Sequence, residues 1–281
     1  MIQWAIPLLA GFYGLLIGSF LNVCSLRWPV DESVVRPRSR CPKCETLIFW
    51  YDNVPVLSWL VLRGKCRNCS NPVSIQYPMV ELASGLMWTA MFALHGPTWE
   101  AFRGAIFLTI IFGISISDAR FYIIPDEFSL GGTVIGLSMA FLPGGIDWLS
   151  AVIGAALGYG VLWFVGVAGT WIIKKLSPGR LEEAGVEQAM GGGDIKMMMM
   201  VGAFLGAWGV ALTTFLGSVL ALVTVLGRSI PAALSRDEDG VMEMGRLIPF
   251  GVFLAVGGAI SYVWGDAIVA WYVTSLLGMP I

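Results

Sequence analysis

Residues 191–227 read GGGDIKMMMMVGAFLGAWGVALTTFLGSVLALVTVLG. Three glycines lead into Asp194, Lys196 follows, and the 31 residues 197–227 carry no charge. A spanning helix needs about 20 predominantly apolar residues. This run is therefore long enough to cross a membrane and too long for one straight crossing. Gly206, Trp208 and Gly209 offer a place to turn it, which predicts two short helices over 195–207 and 209–227.

The same signal repeats outward from this stretch. Uncharged runs cover 4–26, 82–99, 128–146, 148–173 and 247–265, in a chain of 281 residues that is 57% hydrophobic and 13% charged, with mean hydropathy +0.77. An ordinary soluble domain carries about 25% charged residues. Between Arg103 and Asp118 a further run of 14 uncharged residues must recruit neighbours to span, which puts Asp118 at or just inside a membrane boundary. The expectation is an all-α polytopic membrane protein with about eight transmembrane helices, near 4–26, 79–97, 100–118, 128–146, 148–173, 195–207, 209–227 and 247–265. Residues 266–281 form a tail expected to dock at the interface or reinsert. The first run is too long for a signal-peptide core and nothing basic precedes it. The net charge of −2 and the lack of a long basic arm give no sign of a nucleic-acid partner.

Lys and Arg orient the chain. With the N-terminus outside, the loops 27–78, 119–127, 174–194 and 228–246 with their edges hold 16 of the 17 basic residues on the cytoplasmic side, Arg103 being the exception. Trp99, Trp148, Trp208 and Trp264 then form an outer aromatic belt. Both Asp118 and Asp194 fall on the cytoplasmic side, where they can meet.

The one sizeable soluble segment, 27–78, contains CPKC (Cys41, Cys44) and CRNC (Cys66, Cys69). Two C-x2-C pairs suit a closed tetrahedral zinc site, structural because no coordination position stays open. A small insert with little core would draw much of its folding energy from the metal. The plainer readings are two disulfides or free thiols; a cytoplasmic location disfavours stable disulfides. Cys24, inside the first run, reads as a small buried hydrophobe.

His95 is the only histidine and lies toward the outer surface. That argues against a Ser-His-Asp hydrolase, a Cys-His protease and an H-E-x-x-H metalloprotease. Carboxylates remain. Two of them suffice for peptide hydrolysis when they share a proton: one takes a proton from water while the other donates to the carbonyl oxygen, and the pair titrates as a unit. Gly191–Gly193 would let an extended substrate backbone approach Asp194. The plainer reading makes Asp194 an N-cap, Asp118 a solvated boundary residue and Asp126 a cap after Pro125. Glu81, several residues into the second span, reads first as a carboxyl hydrogen-bonded to another helix and second as support for a site. Lys196 pairs with a nearby carboxylate or snorkels to the surface. Met197–Met200 read as adaptable packing, and Gly14 and Gly18 as a small-residue packing face.

Taken in order, GLLIGSFLNVCSLRWP (14–29), the CPKC and CRNC pairs, YPMVE (77–81), DARFYIIPDEFSL (118–130), MGGGDIKMM (190–198) and IPFGVFLA (248–255) resemble the type IV prepilin peptidases, bacterial membrane aspartic proteases of the GxGD class. The resemblance implies that Asp118 and Asp194 are the catalytic pair, with Asp126 competing for the first position. It implies cleavage, after glycine and on the cytoplasmic side of the inner membrane, of a short basic leader from prepilins or pseudopilins. It further implies partners in a type IV pilus or type II secretion machinery. The retained four-cysteine insert implies a second activity, methylation of the new N-terminus with S-adenosylmethionine. The domain reading that follows is a first transmembrane helix (1–26), a cytoplasmic zinc-ribbon-like insert (27–78) and a transmembrane aspartic peptidase core (79–281). The acidic segment 235–245 matches no motif and reads as a solvated connection.

Two other classes stay open. A proton-coupled transporter would relay protons through Asp118, Asp194 and Glu81, although such groups usually sit near the bilayer midplane between repeated halves. A non-enzymatic zinc-bearing assembly factor would cleave nothing.

Overall fold

The computed structural model describes residues 2–183, 185–235, 249–275 and 278. Helices α1 (Ile2–Arg27), α2 (Leu57–Val61), α3 (Gln76–His95), α4 (Trp99–Phe121), α5 (Asp126–Met139), α6 (Trp148–Leu176), α7 (Arg180–Glu183), α8 (Gly192–Ser235) and α9 (Phe250–Ser275) follow one another. Short 3-10 turns lie at Trp28–Val30 and Trp50–Asn53. Among the described residues the strand-like pairing amounts to two isolated bridges, Arg40 with Leu47 and Lys65 with Pro72. The chain is an all-α membrane protein, and among the described residues five helices are long and apolar enough to cross a bilayer: Trp4–Val30, Trp99–Phe121, Trp148–Leu176, Gly192–Gly227 and Phe250–Ser275.

The helices at two further expected spans are more modest. α3 has the length but is less apolar, interrupted by Glu81 near its start. α5 stops at Met139 after 14 residues, about 21 Å of helix. Its expected extension to residue 146 meets Pro143 and Gly144, the latter at φ 73°, and proline cannot continue a helix. Conversely, α9 runs on through Asp266 to Ser275, so residues 266–275 prolong a helix rather than form a separate docking tail. No glycine or proline interrupts that stretch. Residues 236–245 of the acidic segment lie outside the described residues.

The chain divides into two compact units, residues 1–113 and 114–281. In the first, α1 and α3 pack antiparallel along small residues. A Cβ on Gly14 would sit 2.8 Å from the Ser84 carbonyl oxygen and the Trp88 Cβ, and one on Gly18 would sit 2.7 Å from Glu81 Cα. The expected small-residue face is thus a close helix contact. Asn22 Nδ2 donates to the Tyr77 carbonyl at 3.1 Å, and Trp88 Nε1 to Thr109 Oγ1 at 3.0 Å, tying α3 to α4.

In the second unit α8 is the hub, touching α5, α6 and α9. Gly202 and Met198 present backbone to Gly154 and Gly158 of α6. Phe204 covers Gly136 of α5. Thr213 Oγ1 donates to Ser261 Oγ at 3.1 Å across the α8–α9 contact. Met197, Met198 and Met200 are fully buried in this packing. The long run does break where its length demands: Gly206 has φ 69°, ψ −170° inside α8, a conformation open to glycine at little cost.

Candidate active site and metal centre

Asp118 sits one turn from the end of α4, buried at 6% exposure. The helix closes behind it: the Tyr122 N–H donates to the Asp118 carbonyl at 2.9 Å, with Tyr122 itself at φ 56°. The chain then turns through buried Ile124 and Pro125 into α5. A helix N-terminus leaves backbone N–H groups without intrahelical partners. One of these, at Val252 in the first turn of α9, donates to Asp118 Oδ2 at 3.2 Å. Gly251 lies against the same carboxylate: a Cβ there would be 2.9 Å from Asp118 Oδ2 and 2.8 Å from Ile124 Cδ1.

Asp194 enters from α8. The helix begins at Gly192, so Asp194 lies within its first turn and is not the N-cap. A Cβ on Gly191 would stand 3.0 Å from Asp194 Oδ2, and one on Gly193 would stand 2.9 Å from Ile124 Cβ. The glycines therefore bring backbone close to both the carboxylate and Ile124. Both acids border Ile124, Asp118 through Gly251 and Asp194 through its neighbour Gly193. Asp194 Oδ1 is buried and meets no hydrogen-bond partner among the described residues. A buried acceptor left so calls for water or a substrate group. Two carboxylates set about one isoleucine, one anchored by a backbone donor and one with an oxygen to spare, could divide the base and acid roles of amide hydrolysis.

The structure does not bring the other acidic candidates into this pair. Asp126, the first residue of α5, receives Lys196 Nζ at 2.7 and 2.9 Å. That partly exposed ion pair links α5 to α8 and occupies Asp126 with a counter-charge. Glu81 is buried and its Oε2 accepts the Val56 N–H of the insert at 2.7 Å.

The four insert cysteines converge with every Sγ within 4.8 Å of the others. Cys41 and Cys69 sulfurs are 3.7 Å apart and those of Cys44 and Cys66 4.0 Å. A tetrahedron with metal–sulfur bonds near 2.3 Å has edges of about 3.8 Å, so the group fits a metal ion, and none of the four cysteines is in a disulfide. The cause is an internal repeat at a spacing of 25 residues. Cys41 N–H donates to Thr46 O and Cys66 N–H to Asn71 O; Glu45 N–H donates to Cys41 O and Ser70 N–H to Cys66 O; Ile48 N–H donates to Ser39 O and Val73 N–H to Gly64 O. Glu45 and Ser70 both turn at positive φ, 55° and 56°. Each pair thus ends in the same knuckle. Hydrogen bonds from Thr46, with help from Asn68, push the Cys44 thiol down to about 6. Cys69 is pushed up to about 11: its bond with the Asn71 backbone works against the rise, and desolvation and the crowding of the other three thiols outweigh it. Such crowding is what a bound dication relieves.

Known proteins resemble this chain over most of its length. Residues 12–95 match the family described as Bacterial Peptidase A24 N-terminal domain, and residues 105–226 match the Type IV leader peptidase family. A protein of Aeromonas hydrophila named prepilin leader peptidase/N-methyltransferase is 32% identical over 98% of this chain and 97% of its own length.

The chain belongs to the type IV leader peptidase family.

Proteins with that same name from Myxococcus xanthus (strain DK1622), 36% identical over 83% of this chain and 69% of theirs, and from Neisseria gonorrhoeae, 31% identical over 96% of both, are similar to it as well. No solved structure matches the chain. Within this leader peptidase fold, sequence reasoning missed the Val252 donor and Ile124. A hint was present in IPFG (248–251), since proline at the start of an apolar run marks a helix N-terminus and hence free N–H groups.

Proposed function

We propose that this chain is a membrane aspartic endopeptidase that removes the short basic leader of type IV prepilins or pseudopilins after glycine, with Asp118 and Asp194 as its catalytic pair. The observation that supports the reading is that both acids border Ile124: Gly251, against Asp118, meets its side chain, and so does Gly193, the neighbour of Asp194. One ionised aspartate takes a proton from the attacking water while its partner protonates the carbonyl oxygen, and collapse of the tetrahedral intermediate releases the leader. Gly192, with open space where a Cβ would stand, leaves room for an extended backbone near Asp194. The names of the relatives also support methylation of the new N-terminal amine, with S-adenosylmethionine as methyl donor. The four cysteines hold structural zinc, closing the shell so that the ion takes no part in cleavage.

The protein sits in the cytoplasmic membrane with its N-terminus outside, and the insert (27–78) and both aspartates at the cytoplasmic side. It crosses eight times when α3, α5 and the two limbs of α8 each span, and 79–281 forms the peptidase core. Its product serves a type IV pilus or a type II secretion machine. The transporter and assembly-factor readings gain no support from relatives that bear a peptidase name. The test is purified protein in detergent with a synthetic prepilin segment and S-adenosylmethionine, products read by mass spectrometry. Cleavage after glycine with an added methyl on the mature fragment is expected. Absence of cleavage across several prepilins would overturn the reading.

A further inference from the structure

Residues 49–61, FWYDNVPVLSWLV, lie in the middle of the insert yet expose six large apolar side chains: Phe49, Trp50 (77%), Tyr51, Leu57, Leu60 and Val61 (67%). They are organised. Phe49 and Tyr51 stack at 5.4 Å, and Trp50 meets Tyr51 edge-on at 5.7 Å. On α2, Leu57, Leu60 and Val61 fall at i, i+3 and i+4, one face of a helical turn. Trp59 turns the other way, its Nε1 donating to the Val73 carbonyl at 3.0 Å and its ring covering Gly64. The segment therefore has an inner face packed on a metal knuckle and an outer face of aromatic and aliphatic groups. Water is a poor neighbour for a patch of that kind.

What covers the outer face follows from depth. Val56, between the aromatic cluster and α2, donates its N–H to Glu81 Oε2 at 2.7 Å. Glu81 is five residues into α3 and packs against Gly18 of α1. From Gly18 to Arg27, the first charged residue of the chain, is nine residues, or about 13 Å along the helix. Val56 is thus tied to a point well short of the charged end of a membrane-crossing helix. On α3, which carries Glu81, Tyr77, Met79, Leu82 and Leu86 are exposed apolar groups as well. The flanks carry the complementary charge: Arg36, Arg38, Arg40, Lys43, Arg63 and Lys65 are all exposed, and cations in this position attract anionic headgroups. Trp and Tyr are the residues that favour the headgroup level.

We propose that residues 49–61 are embedded in the headgroup–acyl boundary of the bilayer, so that the metal-binding insert lies on the membrane and is held there by Glu81. The Glu81 carboxyl is then the fastening of an interfacial segment.

The experiment uses the full chain, labelled with 5-fluorotryptophan, in phosphatidylcholine–phosphatidylglycerol nanodiscs. Trp50→Phe assigns the Trp50 fluorine signal, and Trp163→Phe assigns a reference on exposed α6 surface. A nitroxide carried high on the lipid acyl chain is expected to broaden the Trp50 signal several-fold more than a water-soluble gadolinium chelate does, as for Trp163. Broadening chiefly by gadolinium would place the segment in water and overturn the proposal. Protection from both agents would mean that protein covers it, and would overturn the proposal equally.

Discussion

Gly251→Ala tests how the site is built with the smallest possible perturbation. The new methyl group would lie 2.9 Å from Asp118 Oδ2, 3.2 Å from Asp118 Cγ and 2.8 Å from Ile124 Cδ1. Ordinary contact begins near 3.4 Å, so carboxylate and helix start must part by about half an ångström or more. The same movement stretches the 3.2 Å bond from Val252 N–H. Misplacing a reacting group by about 1 Å can cost on the order of 10²-fold in rate, and overpacking costs about 1–3 kcal/mol of stability. The expected result is a fall in kcat of roughly ten- to a hundredfold, with thermal unfolding only modestly earlier, measured on a synthetic prepilin in detergent. Adding Ile124→Ala removes one clash and leaves the one against Asp118, so the double variant stays slow. A Gly251→Ala enzyme within twofold of wild type, or full recovery in the double variant, would refute the argument that Gly251 sets the position of Asp118.

Purified protein is expected to carry one metal ion per chain by elemental analysis. Serine at any of Cys41, Cys44, Cys66 or Cys69 should lower that content, and chelation should speed amide exchange across residues 39–73, because metal binding and folding are linked in so small a unit. Asp126→Asn should keep activity within about threefold, since an exposed ion pair such as Lys196–Asp126 is worth about 0–1 kcal/mol; a loss matching that of Asp118 variants would move the first aspartate to Asp126. At the start of α6, the Ser150 hydroxyl and N–H hold Asp147 below the usual carboxylate range. A depressed value makes its capping contribution present at neutral pH and lost on acidification through that value. The thermal advantage of wild type over Asp147→Ala should therefore vanish in strong acid; an advantage independent of pH would contradict the assignment.

The long-range order of this molecule was largely legible, because lipid imposes a few strict rules on sequence. A 31-residue uncharged run had to break, and it breaks at Gly206, where a positive φ is open to glycine. The C-x2-C pairs announced their own convergence. Gly14 and Gly18 announced a close helix contact. Charges stranded near helix ends made Asp118 and Asp194 candidates, and the family resemblance is what joined them as a pair. Other features depended on groups that no residue letter reports. The donor to Asp118 is a backbone N–H at Val252, and any residue but proline would have supplied it. Glu81 finds its partner in the backbone of Val56, 25 residues away, which hydropathy cannot register. α5 was expected too long because apolar composition says nothing against Phe141 and Leu142, whereas Pro143 and Gly144 end the helix by geometry.

Peptide cleavage by this chain rests, in the proposed mechanism, on two carboxyl groups, and replacing each by its uncharged near-isostere tests them directly. Asp118→Asn and Asp194→Asn, purified beside wild type and matched to it in thermal unfolding, would be assayed for cleavage of the same prepilin segment. Each variant is expected to lose activity on the order of 10³-fold or more, since acid and base steps are worth about 10²–10⁴. Cleavage at near wild-type rate by either folded variant would remove that aspartate from the mechanism and with it the pair.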